Sequence, residues 1–149
     1  YGFDSEDAIE AFICRETVTV PNSPPWIVGN TIYQQKAITV IDISKILNVE
    51  NHSNESTTPR QQMILLRTGD SLTNIAFAID ELGEIPSLPL EALEEKSSLA
   101  PDSGVIQALV KTSGNLLVVL NTEKLLKQLG RPIEKAPHSN KGLFAKAVM

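Results

Sequence analysis

The side chains best suited to nucleophilic or metal chemistry are few in this sequence and lie far apart. Cys14 is the only cysteine, and the two histidines, His52 and His138, come much later in the chain. A cysteine nucleophile needs a base beside it, so a Cys-His pair would have to be created by folding. Neither histidine has a partner four residues away or a cysteine beside it, as a zinc site would require. We interpret Cys14 as a small, buried or half-buried interior residue and predict no metal site.

Carboxylates are concentrated in one segment that also contains two prolines. They are Asp80, Glu81, Glu84, Glu91, Glu94 and Glu95. Their spacing is not that of a calcium-binding loop, which indicates a solvated acidic edge. Glycine-rich phosphate loops and the Gly-x-Ser-x-Gly nucleophile elbow are absent from the sequence. A small hydrolase on a β scaffold would lack an evident nucleophile-base pair. We therefore predict a binding module that is not an enzyme and uses no cofactor.

The composition limits the partners of such a module. With 149 residues, 42% of them apolar, the chain can form one domain or two small lobes around a shared core. A net charge of −5 without a basic cluster argues against nucleic-acid binding. A single cysteine fits a reducing compartment, and no apolar run reaches the ~20 residues that span a bilayer. We expect a cytoplasmic protein without direct membrane insertion.

The stretch Pro24–Asn48 carries the clearest structural signals. Pro24 and Pro25 favour an extended backbone at the start of this stretch, and Gly29 can turn the chain at positive φ. The apolar run from Ala37 to Ile41 predicts a buried strand. Asp42 after it can cap a short helix, Ile43–Leu47, by accepting from free backbone amides.

The rest of the sequence predicts mostly short strands. We expect strands at Tyr1–Phe3, Thr17–Val20, Met63–Leu66, Leu72–Asp80, Val105–Lys111 and Leu116–Leu120, with hairpin turns at 68–70 and 113–115. We expect a short helix or a turn at Ser5–Phe12, a turn of helix at Leu90–Glu95 and a helix from Asn121 or Thr122 to Gly130. We also expect a surface loop at 50–61 and a docked terminal element at 142–149. This pattern predicts an all-β barrel or a pair of small barrels.

Two patterns concern the interior. In Leu72–Asp80 the large residues alternate with Ala76 and Ala78, which indicates a close approach of another sheet or backbone on the alanine face. Trp26 is open to two interpretations, as a core residue packed near Gly29 or as the anchor of an interface.

Several ordered segments together resemble the CheW-like domain of bacterial chemotaxis coupling proteins over nearly the whole chain. They are YGFD at 1–4, AIEA at 8–11, PPWIVG at 24–29, ITVIDI at 38–43, AFAID at 76–80, LVVLN at 117–121 and EKLL at 123–126. The resemblance implies a single domain over residues 1–149, built from two five-stranded SH3-like barrels on a shared apolar core. It also implies that the family's first strand would precede Tyr1.

The resemblance further implies a non-enzymatic adaptor that joins the cytoplasmic tips of chemoreceptors to the regulatory domain of a CheA-type histidine kinase. Such an adaptor is recruited to membrane receptor arrays. The positions that match the family's receptor-facing groove, between the barrels, are Ala8, Glu10, Gly29 and Gln34. An alternative is the regulatory CheW-like domain of a larger histidine kinase or of a fused regulator.

The sequence departs from the family pattern at the groove. Gln34-Gln35 replaces an Arg-Gly pair, Thr39 replaces a proline and Ala108 replaces a glycine. A neutral amide does not replace a guanidinium with its five donors. We expect Glu10 near Gln34, facing only this amide. Either the partner supplies a lysine or arginine, or receptor binding is lost and only the kinase contact remains. The departures indicate a divergent coupling protein, for instance one that serves a pilus-type array.

Overall fold

The structure is a computed structural model, and it describes residues 1–49, 61–67, 74–83, 87, 104–112, 115–130 and 144–148. Within these ranges the chain forms strands β1 (Gly2–Asp4), β2 (Ala8–Ile13), β3 (Ile27–Tyr33), β4 (Lys36–Ile41), β5 (Gln62–Leu66), β6 (Asn74–Ile79), β7 (Glu81–Leu82), β8 (Ile106–Thr112), β9 (Asn115–Leu120) and β10 (Phe144–Val148). Its helices are a 3-10 turn at Ser5–Asp7, α1 (Ile43–Ile46) and α2 (Thr122–Gln128).

The strands form two five-stranded sheets, in the orders β7-β10-β1-β9-β8 and β2-β5-β6-β4-β3. Most neighbours are antiparallel, but β4 pairs with β6, and β1 with β9, in parallel. The edge strands of the second sheet approach each other through side chains, since Phe12 of β2 stacks on Tyr33 of β3. The prediction of an all-β fold of two small SH3-like barrels with few short helices is confirmed.

The sheet β2-β5-β6-β4-β3 forms the second barrel. Strand β6 lies at its centre and is buried on both faces. Its large residues, Ile75, Phe77 and Ile79, face the main core, whereas Ala76 and Ala78 lie in a second cluster with Val40 and Met63. The predicted alternation is therefore correct. The alanines face the inside of the barrel, where β5 and β4 curve around them and leave little room.

The two sheets share the main apolar core. It combines Phe3 of β1 and Leu120 of β9 with Phe77 of β6, and α2 adds Leu125 and Leu126. The rings of Phe3 and Phe77 meet edge to face, with centroids 5.8 Å apart. Trp26 is half-buried against this core, which supports its interpretation as a core residue.

The amino-terminal half contains three corrections to the sequence predictions. Ser5–Phe12 is not one helix, because Ala8–Ile13 pairs with β5 and only Ser5–Asp7 turns. Thr17–Val20 is not a strand and contributes a single bridge between Val18 and Asn30. Gly29 has a positive φ of 155° but lies at a bulge within β3, and the chain turns instead at Gln34-Gln35.

The elements from residue 104 onward agree with the sequence predictions where they are described. Strands β8 and β9 pair antiparallel, and Asn121 is the cap of α2, accepting from the amide of Lys124 at 2.9 Å. Gly130 follows α2 with φ +72°, as expected of a helix end. β10 pairs with β1 and confirms a docked terminal element. Three predictions lie outside the described residues: the turn at 68–70, the turn at 113–115 apart from Asn115, which begins β9, and the helical turn at Leu90–Glu95. The predicted loop at 50–61 does too, apart from Gln61.

The cap of α1 gives a direct stability prediction. Buried Asp42 accepts a hydrogen bond from the amide of Ser44 at 3.0 Å, as predicted. Replacing Asp42 by alanine leaves this amide without its acceptor, so we expect a loss of about 0.5–2 kcal/mol in the free energy of unfolding. A urea titration measures this loss. Asp42→Asn keeps a capping oxygen and is expected to lose less; an equal loss would show that the cap is not the cause.

Candidate functional site

The side chains of Glu10, Tyr33 and Gln34 meet where the edge strands of the second barrel come together. The amide of Gln34 donates to Glu10 Oε1 at 3.1 Å, and the hydroxyl of Tyr33 donates to Oε2 at 3.1 Å. The expected proximity of Glu10 and Gln34 is confirmed. The expectation that Glu10 faces only an amide is wrong, because a phenol holds its second oxygen.

Local backbone irregularities bring these groups together. The pairing of β2 with β5 shifts between Ala8 and Glu10, and this bulge sets the face on which Glu10 lies. Gln34 and Gln35 both have positive φ, 48° and 64°, as in the two-residue turns that fit the twist of a hairpin. Glycine, asparagine and aspartate are usual at such positions, so two glutamines give no sequence signal for this turn.

The ring of Tyr33 is held by its neighbour across the barrel. It stacks on buried Phe12 with centroids 4.1 Å apart and an angle of 20° between the planes. Sequence analysis did not identify Tyr33, because a single tyrosine is not part of any recognisable motif. The alternation of β3 is the signal that could have found it, since it places Tyr33 on the same face as Thr31 and Gly29.

The other two predicted residues lie at separate places. Ala8, at the start of β2 opposite Leu66, packs against the main core. Gly29 is buried, and a Cβ there would stand 2.6 Å from the carbonyl oxygen of Val18. The structure thus brings Glu10 and Gln34 into contact, whereas Ala8 and Gly29 lie in packed surroundings away from this pair.

A groove of about 640 Å³ runs between β2 and β3 beside this cluster. Tyr33 lines it together with three exposed aliphatic residues, Ile13, Val18 and Ile32, whose accessible fractions are 68%, 74% and 80%. Exposed aliphatic side chains clustered in one groove are a feature of interaction surfaces. The sequence analysis missed this groove because its two walls are far apart in the chain.

Cys14 lies at the base of the groove as a buried thiol. Its sulfur lies 3.2 Å from both the hydroxyl of Thr31 and the carbonyl oxygen of Glu16, and its single S–H can donate to one of them at a time; no base contacts it among the described residues. His52 and His138 lie outside those residues, as do Glu84, Glu91, Glu94 and Glu95. Asp80 and Glu81 are exposed. In the described ranges no group of three or more candidate metal ligands occurs.

Comparison with known proteins identifies the family. The model of the CheW-like domain matches residues 1–130. The chain belongs to the CheW-like domain family. The crystal structure of the scaffolding protein TtCheW from Thermoanaerobacter tengcongensis is similar to this CheW-like domain, with a TM-score of 0.68 and 18% identity over 82% of this chain and 77% of that one. At this identity the similarity concerns the fold. Comparison with curated proteins gives no significant match.

Strand β10 lies beyond the matched residues 1–130 but pairs with β1 and β7, so the first sheet includes chain outside the matched region. Neither described helix has the length and apolar character to cross a membrane. The cluster of Glu10, Tyr33 and Gln34 includes the first residue of Gln34-Gln35, where the resemblance predicts an Arg-Gly pair.

Proposed function

We propose that this CheW-like domain is a non-enzymatic adaptor that couples chemoreceptors to a CheA-type histidine kinase. The observation that carries the proposal is the family match over residues 1–130. The similar structure, TtCheW, is itself a scaffolding protein. The adaptor acts in the cytoplasm at membrane receptor arrays, in chemotaxis or in pilus-type motility.

The chemistry of the described residues supports binding rather than catalysis. The thiol of Cys14 is buried within hydrogen-bonding distance of a hydroxyl and a carbonyl oxygen, neither of which is a base that would activate it. The groove between β2 and β3 instead offers aliphatic side chains with a carboxylate beside them. An apolar surface with a few placed polar groups is what a protein partner recognises.

We assign the receptor contact to the surface that carries Ala8, Glu10, Gly29 and Gln34. Glu10 of β2 and Gln34 of the turn after β3 supply the polar contacts, whereas Ala8 of β2 and the buried Gly29 of β3 support the backbone of these two strands. We also propose that residues 1–149 form a single domain. The pairing of β10 with β1, and the core shared by the two sheets, support this assignment.

An adaptor must hold both partners at once, which gives the decisive experiment. We expect the purified domain to form a ternary complex with the cytoplasmic tip of a chemoreceptor and the regulatory domain of a CheA-type kinase from the same genome. Size-exclusion chromatography with light scattering measures the mass of the complex. The control is the same mixture without the domain, in which the two partners elute separately.

The outcomes separate the two candidate functions. Binding to both partners supports the adaptor. A gene that encodes an ATP-binding kinase domain in the same polypeptide supports the alternative, a regulatory domain of a larger histidine kinase. Binding to neither partner contradicts both.

A further inference from the structure

Within the described part of the chain, the carboxylate of Glu10 is held in place by uncharged donors. Each oxygen accepts one hydrogen bond, from the hydroxyl of Tyr33 and from the amide of Gln34, and both donors are uncharged. Among the described residues no lysine or arginine pairs with Glu10. A carboxylate has about four lone-pair sites, so about two remain for a further donor. Among the described residues, the cluster therefore presents a fixed negative charge with acceptor sites left for a further donor.

Tyr33 is the rigid member of this cluster. Its ring stacks on Phe12, which is buried in β2, while its backbone belongs to β3. The hydroxyl is thus fixed by both edge strands at once. Gln34, by contrast, is exposed and lies in the turn. Tyr33 accordingly determines the direction in which the carboxylate points.

We propose that Tyr33 is a positioning residue that presents the carboxylate of Glu10 to a lysine or arginine of the receptor tip. The inference rests on the proposed function and names the chemistry of the partner at that site. Charge complementarity selects a basic residue, because a cation pairs with an uncompensated carboxylate through charge-assisted hydrogen bonds. An acidic residue would be repelled at the same place.

Three substitutions test the inference with the receptor tip and the kinase regulatory domain as probes. Glu10→Gln removes the charge and keeps the shape, so we expect Kd for the receptor tip to rise at least about tenfold and to depend less on salt, while Kd for the kinase regulatory domain stays as in the wild type. Gln34→Arg places a guanidinium beside Glu10 and is expected to weaken the same binding by repelling the partner's cation. Tyr33→Phe removes only the hydroxyl, and we expect Kd to rise about three- to tenfold with the salt dependence kept.

The controls separate positioning from folding and from general charge. Glu16→Gln removes an exposed carboxylate that lines the groove and is expected to change Kd less than about twofold. Thermal unfolding of Tyr33→Phe shows whether the hydroxyl acts through stability, since a purely structural role would lower the Tm without changing the Kd of the folded protein.

The results distinguish failure of the inference from failure of the proposed function. If the wild-type domain binds neither probe, both fail. If it binds but Glu10→Gln and Tyr33→Phe leave both Kd values unchanged, only the inference fails. Tighter binding by Glu10→Gln and by Gln34→Arg would show that the partner presents an acidic residue there, which also overturns the inference.

Discussion

Replacing Phe77 by alanine is expected to lower the free energy of unfolding by about 3–5 kcal/mol, the usual cost of emptying a buried phenylalanine site. Phe77 is almost fully buried in β6, and its ring meets Phe3 of the other sheet edge to face at 5.8 Å. The substitution thus removes apolar burial in one barrel and a contact that joins the two. The free energy of unfolding of a small domain is only about 5–15 kcal/mol in total, so the variant should be close to unfolding at moderate temperature.

A urea titration followed by tryptophan fluorescence measures this loss. Trp26, the only tryptophan, is half-buried against the same core and reports on it directly. Leu116→Ala is the matched control, because Leu116 is 65% exposed and should change stability by less than about 0.5 kcal/mol. A loss below about 1 kcal/mol for Phe77→Ala would contradict a core shared by both sheets.

A double-mutant cycle with Phe3→Ala isolates the contact between the sheets. Edge-to-face aromatic pairs contribute about 0.5–1.5 kcal/mol beyond their buried area, and we expect a coupling energy in this range. Because the main core contains residues from both sheets, the domain should unfold in one transition.

The parts of the fold that sequence analysis predicted are those with a local physical cause. The alternation of large residues with Ala76 and Ala78 in β6 follows directly from the period of a strand, and both faces are buried as it implies. The cap at Asp42 needs only one side-chain oxygen and the next free amides. Neither feature depends on a distant partner.

The mistaken elements depend on partners far away in the chain. Ala8, Ile9 and Phe12 have a spacing that suits one face of a helix, yet this segment is strand β2 because β5 pairs with it. Ile9 is then exposed rather than packed. Tertiary pairing overrides local preference in short segments, and a single sequence does not reveal which segment will supply the pair.

The candidate site was predicted only in part for the same reason. The proximity of Glu10 and Gln34 was inferred from the family resemblance, not from spacing. Tyr33 lies in the cluster because it precedes the turn at Gln34-Gln35, where both residues have positive φ. Two glutamines do not predict such a turn, which usually contains glycine or asparagine. The groove beside it depends on two edge strands whose approach only the folded barrel reveals.

Replacing Gly29 by alanine is expected to be the most disruptive single-methyl change in the second barrel. A Cβ at this position would stand 2.6 Å from the carbonyl oxygen of Val18 and 3.0 Å from its carbonyl carbon. Both atoms belong to the backbone, so the segment around Val18 must move. Val18 and Asn30 exchange two backbone hydrogen bonds, at 2.7 and 2.8 Å, and these would be strained or lost. We expect a loss of about 2–4 kcal/mol in the free energy of unfolding.

The matched control is Gly130→Ala. Gly130 also has a positive φ, 72°, but an added Cβ would meet nothing within 4 Å. Gly130→Ala should therefore lower the free energy of unfolding only by the conformational penalty of a side chain at positive φ, about 1 kcal/mol. A similar loss at both positions would show that close approach of Val18 does not explain Gly29.

The same variant separates two explanations of Gly29 at the proposed receptor surface. If Gly29 acts by letting Val18 approach β3, Gly29→Ala should speed amide hydrogen exchange at Val18 and Asn30 and weaken partner binding together, because Val18 lines the groove. If the partner instead contacts Gly29 itself, binding should weaken while the exchange rates stay as in the wild type. We expect the first result, since Gly29 is buried and its free space is already filled by the backbone of Val18.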